Sequence, residues 1–217
     1  MSTISRMLVN GGQQALRTTA VLLLLCGLCF PLLMTGLGAL FFPYQASGSP
    51  IELDGKIVGS EHVGQDFTAE CYLHGRPSAY HYNTYYEQSD GTQMYNDDTE
   101  FGGLSSGSYN YAASNPDLTA RVQDDVKAFT EANPDADIQS LPSELFTASG
   151  SGLDPHISPA SAEVQIPRIA KASGLSEDEI RTMIADNTEH KAFGIFGEEG
   201  VNVLLTNIAI YEAINAQ

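Results

Sequence analysis

No aspartate or glutamate precedes Glu52, and no charged residue of either sign lies between Arg17 and Glu52. Basic residues are scarce after that: eight of the ten Lys and Arg face all 27 acids beyond residue 42, a formal charge of −19. A region this acidic has no affinity for nucleic acid or an anionic lipid surface, and it favours nearby cations. Between Arg76 and Arg121 there is no Lys or Arg at all. Cysteine is almost as rare. Cys26 and Cys29 form a C-x-x-C inside an apolar run, where a thiolate is disfavoured, so they read as small packing residues. Cys71 stands alone, which leaves the acidic region no internal disulfide. Metal-ligand patterns are also missing. The histidines at 62, 74, 81, 156 and 190 form no H-E-x-x-H and no Cys/His zinc spacing. There is no phosphate-loop motif and no G-x-S-x-G elbow.

The one long apolar run is Ala20 to Phe42, 23 residues without a charge. At ~1.5 Å per residue it reaches about 34 Å, enough to cross a hydrocarbon core of about 30 Å. It is far longer than the apolar core of a secretory signal, so it reads as an uncleaved anchor. Arg6 and Arg17 on its N-terminal side place a short head, residues 1–19, in the cytoplasm and the acidic mass outside. The head, with Gly11-Gly12 and Gln13-Gln14, reads as poorly ordered. Pro31 invites a kink. Gly27, Thr35, Gly36 and Ala39 are small, and Thr35-x-x-x-Ala39 presents a face on which a second membrane helix can dock closely.

Residues 43–54 read as a Ser/Gly/Pro linker, and 55–217 as one mixed α/β extracytoplasmic domain. Gly55–Ser60 and Phe67–Leu73 read as strands, and Gly75-Arg76-Pro77-Ser78 as a turn. Seven of the ten tyrosines fall between Tyr80 and Tyr111 among five acids, a composition for a long surface loop that touches a partner. Helix starts are clearer. Asn115-Pro116-Asp117 is an N-cap, N1 proline and first-turn acid, and Leu118, Val122, Val126 and Phe129 follow at helical spacing, with Asn133-Pro134 as the stop. Leu145–Ala148 reads as a strand. Ser158 caps a helix with Pro159 at N1, which Pro167 bends or ends. Ser176 and Glu179 form a capping box, with Leu175 and Ile180 as its staple and Ile180, Met183 and Ile184 as the buried stripe. Val201, Val203 and Leu205 alternate as in a strand, and the 208–214 tail fits either a strand or a helix.

Ser149, Ser151, Asp154 and His156 are residue types of an activated nucleophile, which opens the alternative of a membrane-anchored hydrolase using Ser151 and His156. Their local spacing argues against it, because Asp154-Pro155 and Ser158-Pro159 serve equally as turn and cap residues.

The stretch TASGSGLDPHISPASAEVQIPRIAKASGL (147–175) resembles the C subunit of the bacterial Kdp potassium-transporting ATPase. So do FPLLMTGLGALFFPYQASGS in the span, GKIVGS, GRPSA at 75–79, SNPDL at 114–118 and VNVLLTNIAI at 201–210. Together they cover Thr18 to Ile210. The motif positions are Gly75, Arg76, Pro77, Ser78, Ser114, Asn115, Pro116, Ser149, Gly150, Ser151, Gly152, Asp154, His156, Ser158 and Pro159. The resemblance implies a single-pass, non-catalytic subunit in the cell membrane, needed for assembly and activity of an ATP-driven potassium uptake complex. Its implied partners are a channel-like A subunit and a P-type B subunit, with ATP and potassium handled by the complex and no cofactor or metal held by this chain. The family has been described as a catalytic chaperone that raises the ATP affinity of the B subunit, and Gln165 is where such a nucleotide role would be sought. Residues 106–116, Ser-Gly-Ser-Tyr-Asn-Tyr-Ala-Ala-Ser-Asn-Pro, depart from the glycine-richer family pattern.

Overall fold

The computed structural model describes residues 3–216, with side chains from residue 11 on; the Arg6 side chain lies outside the described residues. The chain forms two units, Met1–Pro50 and Ile51–Gln217.

The first unit is helical almost throughout. α1 (Thr3–Leu24) runs through a π-helical turn (Leu25–Cys29) into α2 (Phe30–Phe41), and α3 (Pro43–Ala46) follows. The helical stretch Gly11–Phe41 contains an 18-residue window with a mean hydropathy of 2.4, and no residue of that window is buried within the chain. The head is therefore not loose from Thr3 onward. Extending an existing helix is easier than nucleating one, and the apolar run carries α1 back through Gly11 and Gly12. Pro31 sits in the first turn of α2. It has no N–H to give and its ring needs room at the preceding turn, and the widened π turn lies directly before it. The N–H of Phe30 bonds to Leu25 O, five residues back.

The expected linker is structured. β1 (Pro50–Leu53) and β2 (Lys56–Ser60) pair as a hairpin across Asp54-Gly55, whose φ angles of 52° and 74° suit a two-residue turn. The Tyr-rich stretch is not one open loop either. It contains a short turn at His81–Asn83 and an antiparallel pair, β3 (Tyr85–Glu87) with β4 (Gln93–Tyr95). Phe101 stacks on Tyr85 at 4.4 Å and meets Tyr95 edge-on at 5.3 Å. The acids here are engaged locally: Tyr86 donates to Asp98 at 2.6 Å, and Asp97 accepts from Thr99.

α4 (Pro116–Ala132) starts as its cap chemistry dictates, with Asn115 Oδ1 accepting from the Asp117 N–H at 2.9 Å, and ends at Asn133. Its stripe of Leu118, Val122, Val126 and Phe129 is half-buried, and Phe129 meets Phe146 edge-on. Residues 143–146 form a 3-10 turn where a strand was expected; the Thr147 hydroxyl donates to Ser143 O.

The core is built by the C-terminal half. A three-stranded antiparallel sheet has the order β5 (His156–Ile157), β7 (Gly200–Asn202), β6 (Thr188–Glu189). Around it lie α5 (Pro159–Glu163), α6 (Ile166–Ser173), α7 (Glu177–Asp186) and α8 (Val203–Asn215). Ser158 caps α5 and the Ser176–Glu179 capping box opens α7. Pro167 does not end α5, which stops at Glu163; it occupies the first turn of α6, where its missing N–H costs nothing. The alternation at 201–205 is a strand only as far as Asn202, the end of β7. Asn202 Oδ1 accepts from the Leu205 N–H and caps α8, so the chain turns helical at Val203 and the tail follows. Ile157, Ile166, Ile169, Ile180, Val201 and Ile210 are all at most 2% exposed and form one cluster with Leu73.

Candidate functional site

Leu73 and His74 explain why 67–73 is not a strand. Each has its backbone N–H and C=O taken by one buried side-chain amide. Asn207 of α8 accepts from Leu73 N–H at 2.7 Å and donates to Leu73 O at 2.9 Å. Gln165 accepts from His74 N–H at 2.9 Å and donates to His74 O at 3.2 Å. Two amides thus replace a neighbouring strand, and a buried peptide needs such partners.

Gln165 is 0% exposed. Its second donor goes to Ser161 O at 3.1 Å, and its oxygen also accepts from Arg168 Nη2 at 2.7 Å. All four of its hydrogen-bonding positions are filled within the fold. Arg168 is buried without a carboxylate partner. Its Nε donates to Asn133 Oδ1 at 3.0 Å and its Nη1 to Glu70 O at 2.5 Å. Asn133 closes α4 by donating to Phe129 O, so the cation sits at the negative end of that helix. Burial lowers the Arg168 pKa to about 10, opposed by the charge of Glu70, and the guanidinium remains charged at neutral pH. The same burial, with Arg168 nearby, lowers His74 to about 4, so its ring is neutral and its Nε2 hydrogen faces Ala69 O at 3.1 Å.

Gly75 to Ser78 lead away from this clamp without regular structure, and the expected turn is not formed there. Gly75 has no positive φ; what it supplies is space, since a Cβ there would lie 2.7 Å from the Tyr82 hydroxyl. Tyr82 is buried, and its hydroxyl donates to Arg76 O at 2.6 Å. Arg76 reaches the 147–159 motif: Nη1 pairs with Asp154 at 2.9 Å, while Nε and Nη2 donate to Thr147 O. Ser78 Oγ donates to Gly152 O at 2.7 Å. Gly152 has φ 68°, and a Cβ on it would meet Gly107 O at 2.6 Å. Gly107 in turn donates to Ser151 O at 2.8 Å, which brings the departed 106–116 segment onto the motif.

The remaining motif residues serve the same local frame. Buried Ser149 accepts from Gly152 N–H, and exposed Ser151 accepts from Leu153 N–H. Asp154 accepts from His156 N–H. Ser158 N–H donates to Glu144, whose hydrogen bonds from Ser158 and Ser161 outweigh its burial and lower its pKa. Asn115 and Pro116 form the start of α4, with Ser114 exposed before them; Pro77 and Pro159 fix local φ, and Gly150 is open on all sides.

Ser151 and His156 are not brought together as a nucleophile and its base. Both serine hydroxyls are spent on motif backbone. The His156 ring lies between carboxylates instead, with Nδ1 3.8 Å from Asp154 and a buried Nε2 3.2 Å from Glu189 but not aligned for a hydrogen bond. Together with Arg76, Glu144 and Glu199 these groups line a cleft of about 210 Å³. Among the described residues no group of three His, Cys, Asp or Glu is placed to hold a metal ion.

In the helical unit, Gly27 lies in the π turn, and Thr35, Gly36 and Ala39 are exposed along α2; nothing of the chain comes within 4 Å of a Cβ built on Gly36.

The profile of the family described as "KdpC: K+-transporting ATPase, c chain" matches residues 12–212. The chain belongs to this family. It is 49% identical over 201 residues to a potassium-transporting ATPase KdpC subunit of Clostridium kluyveri, covering 93% of each chain. The figure is again 49% over 196 residues for the Clostridioides difficile subunit, covering 90% of this chain and 94% of that one. For Caldanaerobacter subterraneus it is 41% over 202 residues, covering 93% and 95%. Arg168, Asn207, Asn202 and Tyr82 were not singled out from the sequence. The signal available was the placing of Asn202, Thr206 and Asn207 within an otherwise apolar tail.

Proposed function

We propose that this chain is a non-catalytic, accessory subunit of an ATP-driven potassium uptake complex, needed for its assembly and activity. One helix holds it in the cell membrane, with residues 1–19 cytoplasmic and the acidic domain outside. Its partners are the channel-like A subunit and the P-type B subunit, which carry potassium and ATP chemistry. The observation that carries the reading is family membership across residues 12–212, in a chain whose described residues include one helix long and apolar enough to cross a membrane. The bonding of the 147–159 motif supports it, because Ser149, Ser151, Asp154 and Ser158 all accept hydrogen bonds from backbone N–H groups within the motif and α5 rather than pairing with the His156 ring. Docking runs through the small face of the π turn and α2, from Gly27 and Pro31 to Thr35, Gly36 and Ala39. We place the role of Gln165 inside the fold, as the clamp on His74.

The test is co-purification with the other transporter subunits in mild detergent. Thr35→Leu with Ala39→Leu weakens it if α2 docks through this face; unchanged recovery refutes the docking. For orientation, protease added to intact spheroplasts digests the domain. Digestion only after the membrane is opened reverses the topology.

A further inference from the structure

The connection from β6 to β7 ends in an apolar tip. Phe193 is 93% exposed, Ile195 76% and Phe196 67%. The tip is held in one shape by its own backbone: Ala192 N–H donates to Phe196 O at 2.8 Å, Phe196 N–H to Ala192 O at 3.0 Å, and Gly194 N–H to Lys191 O at 2.9 Å. Phe193 itself has φ 55°, a conformation that suits Gly, costs Asn little and penalises a bulky side chain such as phenylalanine. Stability of this domain therefore gains nothing from phenylalanine there. Strain and near-complete exposure at one aromatic are the marks of a side chain placed for something outside the domain.

At the base of the tip stand Glu189, Glu198 and Glu199, against Lys191 and the Glu199-paired His190. That rim decides among occupants. Membrane-surface anchors carry Lys and Arg beside their apolar residues, and an anionic lipid surface repels this rim and the domain behind it. A second copy of the chain would set the same glutamates against each other. We propose that the 192–196 tip is a docking plug, seated in an apolar recess edged by Lys or Arg on the outer face of an integral subunit of the same transporter. This rests on the subunit role proposed above and adds the surface through which the outer domain engages.

The experiment uses the full-length chain co-expressed with the other subunits of its transporter. A photo-reactive phenylalanine analogue at position 193 is expected to cross-link to a polytopic subunit. The variant Phe193→Asn with Phe196→Ser is expected to dissociate from the detergent-extracted complex roughly thirty-fold more readily, the loss of an interface hot spot. Its melting temperature on its own is expected to equal or exceed that of the unsubstituted chain, because Asn accepts the backbone that Phe193 strains against. Cross-links only to lipid or to a second copy overturn the proposal, as does retention of the variant at the unsubstituted level. Failure of the unsubstituted chain to co-purify overturns the subunit role as well; equal retention of both overturns the plug alone.

Discussion

Replacing Gln165 by Met keeps the length and apolar stem of the side chain and deletes all four of its hydrogen bonds. Two donors lose their acceptor within a closed interior: the His74 N–H and Arg168 Nη2. A stranded peptide N–H costs about 1–3 kcal/mol and a stranded charged donor somewhat more. The His74 and Ser161 carbonyls lose less, since each keeps a second lone pair for other contacts. The sum is about 4 kcal/mol. For a domain of 150–250 residues each kcal/mol moves the midpoint by about 2–4 °C, so the melting temperature should fall by about 8–16 °C. Circular dichroism of the full chain in detergent reads this. Gln165→Glu should fall between, because its carboxylate keeps Arg168 and the His74 N–H while turning an oxygen toward two carbonyl oxygens. A fall below about 3 °C for the Met variant, with transport lost all the same, would refute the clamp and move Gln165 to an external role.

The half-buried His74 ring gives a pH dependence of known sign. Its folded pKa of about 4 lies below the unfolded value near 6.5, so the unfolded chain takes up the proton first. The stabilisation is complete above pH 6.5 and is lost as pH falls toward 4; between pH 7 and 4.5 it amounts to about 2 kcal/mol, measured by urea unfolding against His74→Gln. Gly152→Ala combines positive φ with a Cβ 2.6 Å from a backbone oxygen and should destabilise by about 3 kcal/mol in the same assay. Ser151→Ala removes an exposed hydroxyl bonded only to Leu153 N–H, and growth on limiting potassium should stay unchanged; lost growth would restore chemistry to this serine.

What the sequence made legible was local. Asn115, Ser158 and Ser176 each announce a helix because the capping oxygen and the N–H it accepts lie two or three residues apart. The span is legible because twenty-three uncharged residues leave few alternatives. Where partners lie far along the chain, pattern reading failed. Phe67–Leu73 has the composition of a strand, but the groups that satisfy its end come from Gln165 and Asn207, 91 and 134 residues from the peptides they hold. Val201–Leu205 alternates as a strand would, but only Val201 and Asn202 lie in β7; Asn202 caps α8 and the helix takes the rest. Arg76 and Asp154 could be seen as motif members but not as a pair, standing 78 positions apart.

The placement of polar and apolar groups runs against what stability alone would choose. Gln165, Asn202 and Asn207 are almost wholly buried, while Phe193 and Phe196 stand in solvent. Swapping a satisfied buried network for well-packed apolar residues is often neutral or favourable, so the amides do not owe their place to net stability. They supply register. A hydrophobic contact lets 70–74 slide along the start of α6 and along α8, whereas an amide that takes both the N–H and the C=O of one residue admits a single alignment. That alignment sends Arg76 and Ser78 to Asp154 and Gly152, and the 147–154 segment then leads directly into β5. Through β7, β5 shares a sheet with β6, from whose far end the apolar tip extends. A clamp deep in the domain thereby fixes the frame on which an exposed surface can be presented to a partner, and loosening it should weaken assembly even where the tip is unchanged.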